Sequence, residues 1–308
     1  MSSTKTISVL IPTLGRDKEV RDTIQALLNQ TRVPDEIVVV DQNADDFPEL
    51  DKYLDSLPLV KHVKSDTLGL GFNANVCLAH ATSDIVLYLD DDITPDPRLV
   101  EMHLENYEKL EKDDPHFGGV AGRVEQPSGD PDPKTIKRVG VFHRLSGTIT
   151  ARFNAIERHE VDIAPGGNMS FYRHILNKID GCDLGFAGNS YFIDTDCALR
   201  VKQAGYRIVF DPRATLKHLM APAGGCRTRT KSDHTFYFVK NGVRVFRRHT
   251  PAWARSYCYL RLTLYIFAKA LYNRDFGILK KSLQALFEGM TQSMDVQGVR
   301  SLPERAKP

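Results

Sequence analysis

The sequence lacks the features that mark several large classes of protein. Its 308 residues contain no uncharged apolar run of about 18 residues, so no helix is expected to span a bilayer. The five cysteines include no Cys-x-x-Cys pair, which argues against a zinc site or a disulfide framework. The first residues have no long apolar core, so no signal peptide is expected, and the cytoplasm is the default compartment.

The small net charge of +2 argues against a dedicated nucleic-acid-binding protein, but it hides an asymmetry. Residues 221–274 contain eleven Lys or Arg and one acidic residue, whereas residues 1–220 contain 25 basic and 34 acidic residues. An acidic front part is therefore joined to a basic rear part, and each needs an explanation.

Short apolar runs rich in β-branched residues alternate with amphipathic segments in the front part. This alternation predicts an α/β fold with a mostly parallel sheet and helices on both faces. Ligands of such sheets bind beyond the carboxyl ends of the strands. The predicted strands are residues 7–12, 36–41, 60–64, 84–89, 119–124 and 207–210, and the predicted helices are 18–29, 72–81, 95–111 and 194–205.

Two of these strands end in carboxylates, at Asp41 and at the run Asp90, Asp91 and Asp92. Three adjacent carboxylates repel one another, and a bound divalent cation would relieve that repulsion. Oxygen ligands favour Mg²⁺ or Mn²⁺, and such an ion would typically hold a diphosphate. The plainer interpretation is a solvated acidic turn.

Five ordered motifs give the chain a resemblance to a known family over roughly residues 5–220. They are ISVLIPTLGR, EIVVVDQNADD, GLGFNANVCLAHATSDIVLYLDDDITPDP, GGNMSFYR and FIDTDCALRVKQAGYRIVFDPRATLKH. In this order they resemble the family-2 glycosyltransferases of the GT-A fold. The resemblance implies an α/β, Rossmann-like and mostly parallel sheet flanked by helices, here with a C-terminal helical extension. It also implies inverting transfer of a sugar from a nucleotide-diphosphate donor to a hydroxyl acceptor.

The resemblance assigns the nucleotide and the metal to the ends of the first strands. Pro12, Thr13 and Arg16 look like the loop that packs on the base, and Asp41 matches the aspartate that hydrogen-bonds it. A carboxylate suits the imide N–H of uracil or thymine, which favours a UDP- or dTDP-sugar donor.

The acidic run matches the family's DxD motif. Asp92 is the expected first ligand of Mn²⁺ or Mg²⁺, Asp90 lies nearer the ribose or also binds the metal, and Asp91 is expected at the nucleotide or in a structural role. His218 stands where the fold often supplies a metal-ligating or diphosphate-contacting histidine.

Asp194 matches the family's catalytic base. A sugar hydroxyl is a poor nucleophile, so a carboxylate must take its proton as it attacks. Asp196 is the alternative, and either could instead be an ordinary carboxylate at a helix N-terminus. Gly166, Gly167 and Asn168 resemble the loop beneath the donor sugar, although a plain tight turn would look the same.

The basic rear part divides into a loop over residues 221–235, helices over 236–295 and a tail over 296–308. Arg227, Arg229 and Lys231 in the loop are expected to neutralise the diphosphate leaving group.

In the helices, aromatic residues alternate with cations, which suits an anionic membrane surface; packing on the front domain or a dimer interface are the alternatives. These cations are Arg244, Arg247, Arg248, Arg255, Arg261, Lys269 and Arg274.

The expected partners are therefore a nucleotide-sugar, a sugar or lipid-linked acceptor and an anionic membrane surface, with no nucleic acid and an open oligomeric state. The expected location is the cytoplasm or the inner face of its membrane. Two other functions fit parts of the sequence. A nucleotidyltransferase that makes a nucleotide-sugar has a related sheet, and a degenerate, non-catalytic relative would fit Ile193, which replaces the usual Glu before the catalytic Asp.

Overall fold

The computed structural model describes residues 5–43, 47–226 and 230–308. A central sheet of nine strands runs in the order β3-β2-β1-β4-β10-β6-β11-β5, with β9 paired to β11, and β7 and β8 form a separate hairpin. The strands are β1 (Ile7–Thr13), β2 (Glu36–Asp41), β3 (Val60–Lys64), β4 (Ile85–Leu89), β5 (Ile93–Pro95), β6 (Phe117–Glu125), β7 (Val141–His143), β8 (Thr148–Thr150), β9 (His159–Val161), β10 (Asn168–Tyr172) and β11 (Arg207–His218).

Within the described ranges, six α-helices accompany the sheet and three more follow it. They are α1 (Asp17–Leu28), α2 (Pro48–Asp55), α3 (Leu70–His80), α4 (Leu99–Leu110), α5 (Arg173–Lys178), α6 (Ile193–Gln203), α7 (Lys231–His249), α8 (Arg255–Asn273) and α9 (Phe276–Thr291). Helix α1 shows why such segments fold: Val20, Ile24 and Leu27 repeat at helical spacing and are buried against the sheet.

The first four strands of the sheet are parallel, so their carboxyl ends meet at one edge. β1 pairs with β2 and β4, and Thr13 lies opposite Asp41 in the register. β10 runs antiparallel to β4 and begins at Asn168, which lies opposite Leu89. This pairing brings the residues before β10 beside the residues after β4, and it confirms the expected α/β sheet flanked by helices.

The last long strand differs from the prediction that Asp211 and Pro212 end it. β11 continues to His218, with an irregular register against β6 between Asp211 and Thr215. A bulge is a place where proline can sit in a strand without breaking a ladder hydrogen bond. The continuation matters because it carries His218 to the carboxyl edge of the sheet.

The rear helices join the front part through a buried cluster of charges, here called the junction cluster: Asp183, Asp196, Arg200, Arg244, Arg248 and His249. Arg244 Nη2 and Arg248 Nη1 each lie 2.7 Å from Asp183 Oδ2. Arg244, Arg247 and Arg248 also donate to carbonyls between Gly289 and Asp295. These three arginines therefore pack against other parts of the protein, which is the alternative to a membrane-facing position that the sequence left open.

Two boundaries of the rear part also differ from expectation. Helix α7 begins at Lys231, inside the segment predicted as a loop. The expected tail folds back on the front part, where Leu302 is buried in the main core and the Val299 N–H donates to Asp180 O. Among the described helices, none combines the length and the apolarity needed to cross a bilayer.

Removing the Asp183 charge should destabilise the protein strongly, because it leaves Arg244 buried without its carboxylate. We expect Asp183→Asn to lower the free energy of unfolding by about 3–5 kcal/mol, as for other broken buried ion pairs. The measurement is urea denaturation followed by circular dichroism. Glu49→Gln, which breaks an exposed pair with Lys52, is the control and should change little; equal losses in both variants would contradict the role of the cluster.

Candidate active site

The acidic turn, residues 90–92, follows β4 at the carboxyl edge of the sheet, and its middle carboxylate is structural. Asp91 is buried, and its Oδ2 accepts a hydrogen bond from Thr13 Oγ1 at 2.7 Å. Its Oδ1 accepts one from Arg16 Nη1, while Arg16 Nε donates to Ala223 O. These bonds hold the loop after β1 against the acidic turn. The sequence had suggested nucleotide binding for Thr13, Arg16 and Asp91, and it did not indicate that they bind one another.

The pairing of β5 with β11 places His218 beside Asp92, the third carboxylate of the acidic turn. His218 lies opposite Ile93 in the β5–β11 ladder, and its Nε2 lies 3.3 Å from Asp92 Oδ1 and 3.8 Å from Asp90 Oδ2. Asp92 Oδ2 accepts a hydrogen bond from the Ala221 N–H at 2.7 Å. Asp90 and Asp92, two positions apart, and His218 from far along the chain therefore share one corner of the site.

This corner fits a divalent cation. Ligand atoms of Asp90, Asp92 and His218 all lie within 4.8 Å of one another. Asp92 Oδ1 is buried and accepts no well-aligned hydrogen bond, although Arg16 Nη1 is 2.9 Å away. Two carboxylates and one imidazole suit Mn²⁺, and this donor set supports the predicted metal site.

The electrostatics of the acidic turn differ from residue to residue. Burial raises the pKa of Asp90 to about 6. Burial also acts on Asp92, but the neighbouring His218 and the Ala221 N–H outweigh it and lower the pKa of that carboxyl. The contact with Asp92 raises the pKa of His218.

A second group, Asp41, Asp51 and His62, also has metal-ligand spacing. Lys64 Nζ already lies 3.1 Å from Asp41 Oδ2 and 3.0 Å from Asp51 Oδ1. A lysine cation therefore balances these carboxylates, and the group is not interpreted as a metal site.

A pair of glycines lies between the acidic turn and Asp194. A Cβ atom on Gly167 would stand 2.1 Å from Asp90 Oδ2, and one on Gly166 would stand 3.4 Å from Asp194 Cβ. The Gly166 N–H donates to Asp194 Oδ2 at 3.2 Å. Gly167 therefore makes room for the Asp90 carboxylate, whereas Gly166 contacts Asp194 through its backbone N–H.

Asp194 is at the N-terminus of α6 and is partly exposed. Its Oδ1 accepts a hydrogen bond from the Thr195 N–H at 2.7 Å, and burial raises its pKa. The residue before α6, Phe192, has a left-handed φ of 68°, an uncommon conformation for a bulky side chain. Ile193 packs against Gly71 of α3, so an apolar contact replaces the carboxylate usual at this position.

Two predicted sugar-site residues have other roles in the structure. Asn168 is buried and bonded to the Arg123 and Ala214 carbonyls and to His103 Nε2, which leaves its side chain inside the sheet. Asp196 is buried in the junction cluster and accepts hydrogen bonds from Arg200, Arg248 and His249. These contacts contradict a direct role for either side chain toward the sugar.

A cleft of about 640 Å³ lies next to the loop after β1; its lining includes Pro12 and Leu14 but not Asp90, Asp92, His218 or Asp194. The N-terminus of α3 lies on it, and a helix N-terminus favours phosphate groups. Pro12 lines the cleft as expected, whereas Gln42 lines it in place of the buried Asp41. Three further lining residues, Gly225, Cys226 and Asp233, belong to the predicted loop 221–235. The others have no motif in the sequence and were not predicted: Leu184, Phe186, Ala187, Gly188, Ser190 and Tyr237.

Asp41 is enclosed by its neighbours. Its Oδ1 accepts hydrogen bonds from the Asn43 N–H at 2.8 Å and from Asn43 Nδ2 at 2.7 Å. Burial alone would raise the pKa of Asp41, but bonds from His62, Asn43 and Lys64 hold it below its ordinary value. The hydrogen bond of Asp41 to a base stays a prediction, and Gln42 is the polar neighbour that reaches the cleft.

The predicted diphosphate-binding residues are not assembled in the described structure. Arg227 and Arg229 lie outside the described residues. Lys231 is exposed at the start of α7 and lines a groove with Tyr265 and Lys269, not the cleft next to the loop after β1. Its position therefore does not support the predicted contact with a diphosphate.

The comparison with protein families decides the class. The family described as Glycosyl transferase family 2 matches residues 8–180, more than half of the chain. The chain belongs to this glycosyltransferase family. The predicted family is thereby confirmed; the match covers the first four motifs, and the fifth, at residues 192–218, lies beyond it.

Individual relatives are more distant. The Glucosyl-dolichyl phosphate glucuronosyltransferase of Haloferax volcanii is 26% identical over 221 residues, which cover 69% of this chain and 68% of that protein. The Probable glycosyltransferase YdaM of Bacillus subtilis is 26% identical over 220 residues, covering 68% of this chain and 49% of that protein. These two names describe the relatives and not this chain.

Solved glycosyltransferases share the fold. The mannosyltransferase PcManGT of Pyrobaculum calidifontis, solved with GDP-Man and Mn²⁺, has a TM-score of 0.57 at 18% identity and covers 95% of this chain and 77% of its own. GalNAc-T7, solved with UDP, GalNAc and Mn²⁺, has a TM-score of 0.62 at 18% identity. The match covers 80% of this chain and 48% of that chain. The chain therefore has the GT-A glycosyltransferase fold.

The glycine pair offers a test of the metal corner. Gly167→Ala should displace the Asp90 carboxylate and weaken Mn²⁺ binding in the presence of UDP by at least ~10-fold, equal to about 1.4 kcal/mol. Isothermal titration calorimetry measures the binding. Gly166→Ala meets only ordinary contacts at Asp194 and should bind Mn²⁺ normally; the reverse order of effects would contradict the assignment.

Proposed function

We propose that the protein is an inverting, metal-dependent glycosyltransferase that moves a sugar from a UDP- or dTDP-sugar to a hydroxyl acceptor in polysaccharide or glycoconjugate synthesis. One observation carries the proposal. The glycine pair separates two carboxylates, Asp90 at the candidate metal corner and Asp194 at the start of α6. Such an arrangement suits a donor diphosphate on one side and an attacking hydroxyl on the other.

The metal corner, formed by Asp90, Asp92 and His218, is proposed to stabilise the diphosphate leaving group. Asp90, Asp92 and His218 would hold Mn²⁺ or Mg²⁺, and such an ion supplies charge neutralisation for a diphosphate. The relatives of known structure were solved with Mn²⁺, which supports this assignment. Arg16 lies beside Asp92 and provides a further fixed positive charge at the same corner.

Asp194 acts on the acceptor. As the acceptor oxygen bonds to the anomeric carbon, the bond from that carbon to the diphosphate oxygen breaks, and its electron pair leaves with the nucleoside diphosphate. The hydroxyl proton passes to the Asp194 carboxylate. A single displacement of this kind inverts the configuration, and the raised pKa of Asp194 makes it a better proton acceptor than an ordinary aspartate.

The acceptor is proposed to be a sugar or a lipid-linked sugar. The Haloferax volcanii relative acts, by its name, on a glucosyl-dolichyl phosphate, which supports the lipid-linked class. The proposed pyrimidine preference of the donor comes from the family resemblance at Asp41; in the structure Gln42, and not Asp41, lines the cleft.

A thermal-shift panel should identify the donor. We expect UDP- and dTDP-sugars to raise the melting temperature in the presence of Mn²⁺ and much less in EDTA, because a ligand that binds only the native state stabilises it. At a ligand concentration of about 100 times Kd the gain is about 2.7 kcal/mol. GDP-sugars are the comparison, and a larger shift with GDP-sugars would contradict the pyrimidine preference.

Asp194→Asn should lower transfer by at least ~10²-fold, because the hydroxyl loses its general base, while Mn²⁺-dependent donor binding persists. Release of nucleoside diphosphate measures transfer, and release of pyrophosphate would instead indicate nucleotidyl transfer.

Asp196→Asn is the matched variant on the same helix. It should lower the melting temperature through loss of the junction cluster, whereas Asp194→Asn should leave that temperature nearly unchanged. Near-normal transfer by Asp194→Asn would refute its role as the base.

A further inference from the structure

Helix α8 is apolar on two opposite faces, but only one of them is covered. Cys258, Leu262, Ile266 and Ala270 repeat every fourth residue and are buried. Leu262 and Ile266 form a small core with Val239 and Val243 of α7 and Ala285 of α9. This inner face explains how α8 is attached to the rest of the protein.

The outer face of α8 is an exposed apolar seam, which begins at Trp253 in the short 3₁₀ turn before the helix. Its members follow one another at intervals of four and three residues, so they lie along one side of the helix. Trp253 at its start is 75% exposed, and Leu264 in its middle is 59% exposed. The seam consists of Trp253, Tyr257, Leu260, Leu264, Phe267 and Leu271.

Helix α9 extends this surface with Phe276, Leu283, Phe287 and Met290, which are also exposed. Among the described residues, twelve of the eighteen exposed large apolar side chains lie between Trp253 and Met290. Soluble proteins rarely expose so concentrated an apolar surface unless something covers it. The seam and these four residues of α9 are here called the outer surface.

Charge distinguishes between the two occupants that fit such a surface. α8 contains Arg255, Arg261 and Lys269 and no acidic residue. A second copy of α8 would bring no acidic residue to pair with these cations, whereas an anionic surface would offer them negative charge. Residues 255–291 contain six basic and two acidic residues, so the net charge complements an anionic surface.

The mixture of side chains also matches a bilayer interface. Trp253, Tyr257 and Tyr272 are exposed beside leucine and phenylalanine, and aromatic rings with polar tips favour the headgroup region. Arg274 and Lys280 are exposed near the connection between α8 and α9. The helix would lie in the plane of the membrane rather than cross it.

A line of ring contacts connects the outer helices to the active site. The ring centroid of Tyr265 in α8 lies 5.6 Å from that of Phe238 in α7, which lies 5.2 Å from that of Phe192. Phe192 precedes the helix that carries Asp194. A membrane that holds α8 would therefore hold the catalytic helix in a defined position relative to the lipid surface.

We propose that the outer surface of α8 and α9 binds the headgroup and upper acyl region of an anionic bilayer. The inference rests on the exposed seam and its charge and holds whether or not the proposed transfer reaction is correct. The proposal restricts membrane binding to one face of α8 and α9, because Arg244, Arg247 and Arg248 are bound to other parts of the protein.

The single tryptophan of the chain is a built-in probe, because Trp253 lies at the start of the seam. We expect vesicles of phosphatidylcholine with phosphatidylglycerol to shift its emission to the blue, and brominated acyl chains to quench it. Flotation of the full chain with the same vesicles measures binding. No shift and no flotation with anionic vesicles would overturn the proposal.

Variants test whether vesicle binding depends on the outer surface or on nonspecific apolar contact. Leu264→Glu with Leu271→Glu should lower vesicle partitioning at least ~10-fold, and Arg274→Glu with Lys280→Glu should weaken binding to anionic vesicles. Ile156→Glu, at an exposed apolar position of the front part, should bind normally, and circular dichroism should show all three proteins folded. Equal loss in Ile156→Glu would overturn the proposal. So would a stable dimer, seen by light scattering, that the Leu264→Glu with Leu271→Glu variant makes monomeric.

Discussion

The repulsion between three adjacent carboxylates is the constraint on which the active site depends. Each carboxylate of the acidic turn is stabilised by a different distant part of the chain. Asp91 binds Thr13 and Arg16 of the first strand and loop, and Asp92 meets His218 and the Ala221 N–H. The Asp90 carboxylate occupies space that is free only because Gly167 has no side chain. Several segments must therefore converge on this turn before the site can exist.

A second set of charges positions the catalytic helix. Asp196 is two residues after Asp194 on α6, and its carboxylate is bound by Arg200 of the same helix and by Arg248 and His249 of α7. Burying such charges is costly, and only a complete set of partners makes it tolerable. The junction cluster thus connects the rear helices, the C-terminal segment and the helix that carries Asp194. The basic rear part therefore helps to position the candidate site, and Asp233 and Tyr237 of α7 also line the cleft.

The fold was largely predictable because strands β1, β2 and β4 are short, buried apolar runs separated by amphipathic helices. Where prediction failed, a tertiary contact outweighed a local rule. Pro212 did not end β11, because a bulge against β6 removed the need for its hydrogen bond. The helix α7 begins within a segment rich in polar residues, since its buried Val239 and Val243 anchor it against α8 and α9.

By itself the sequence determined the family and the acidic turn, and it indicated Asp194 as the candidate base, because these depend on residue type and order along a strand or helix. Only the tertiary structure decided which polar side chains face the cleft. Asp41, Asn168 and Asp196 carry the expected chemistry but are buried among donors of their own. Sequence spacing fixes the position of a side chain along the chain, whereas the partners that satisfy a buried polar group come from segments far away, and they become known only when the chain is folded.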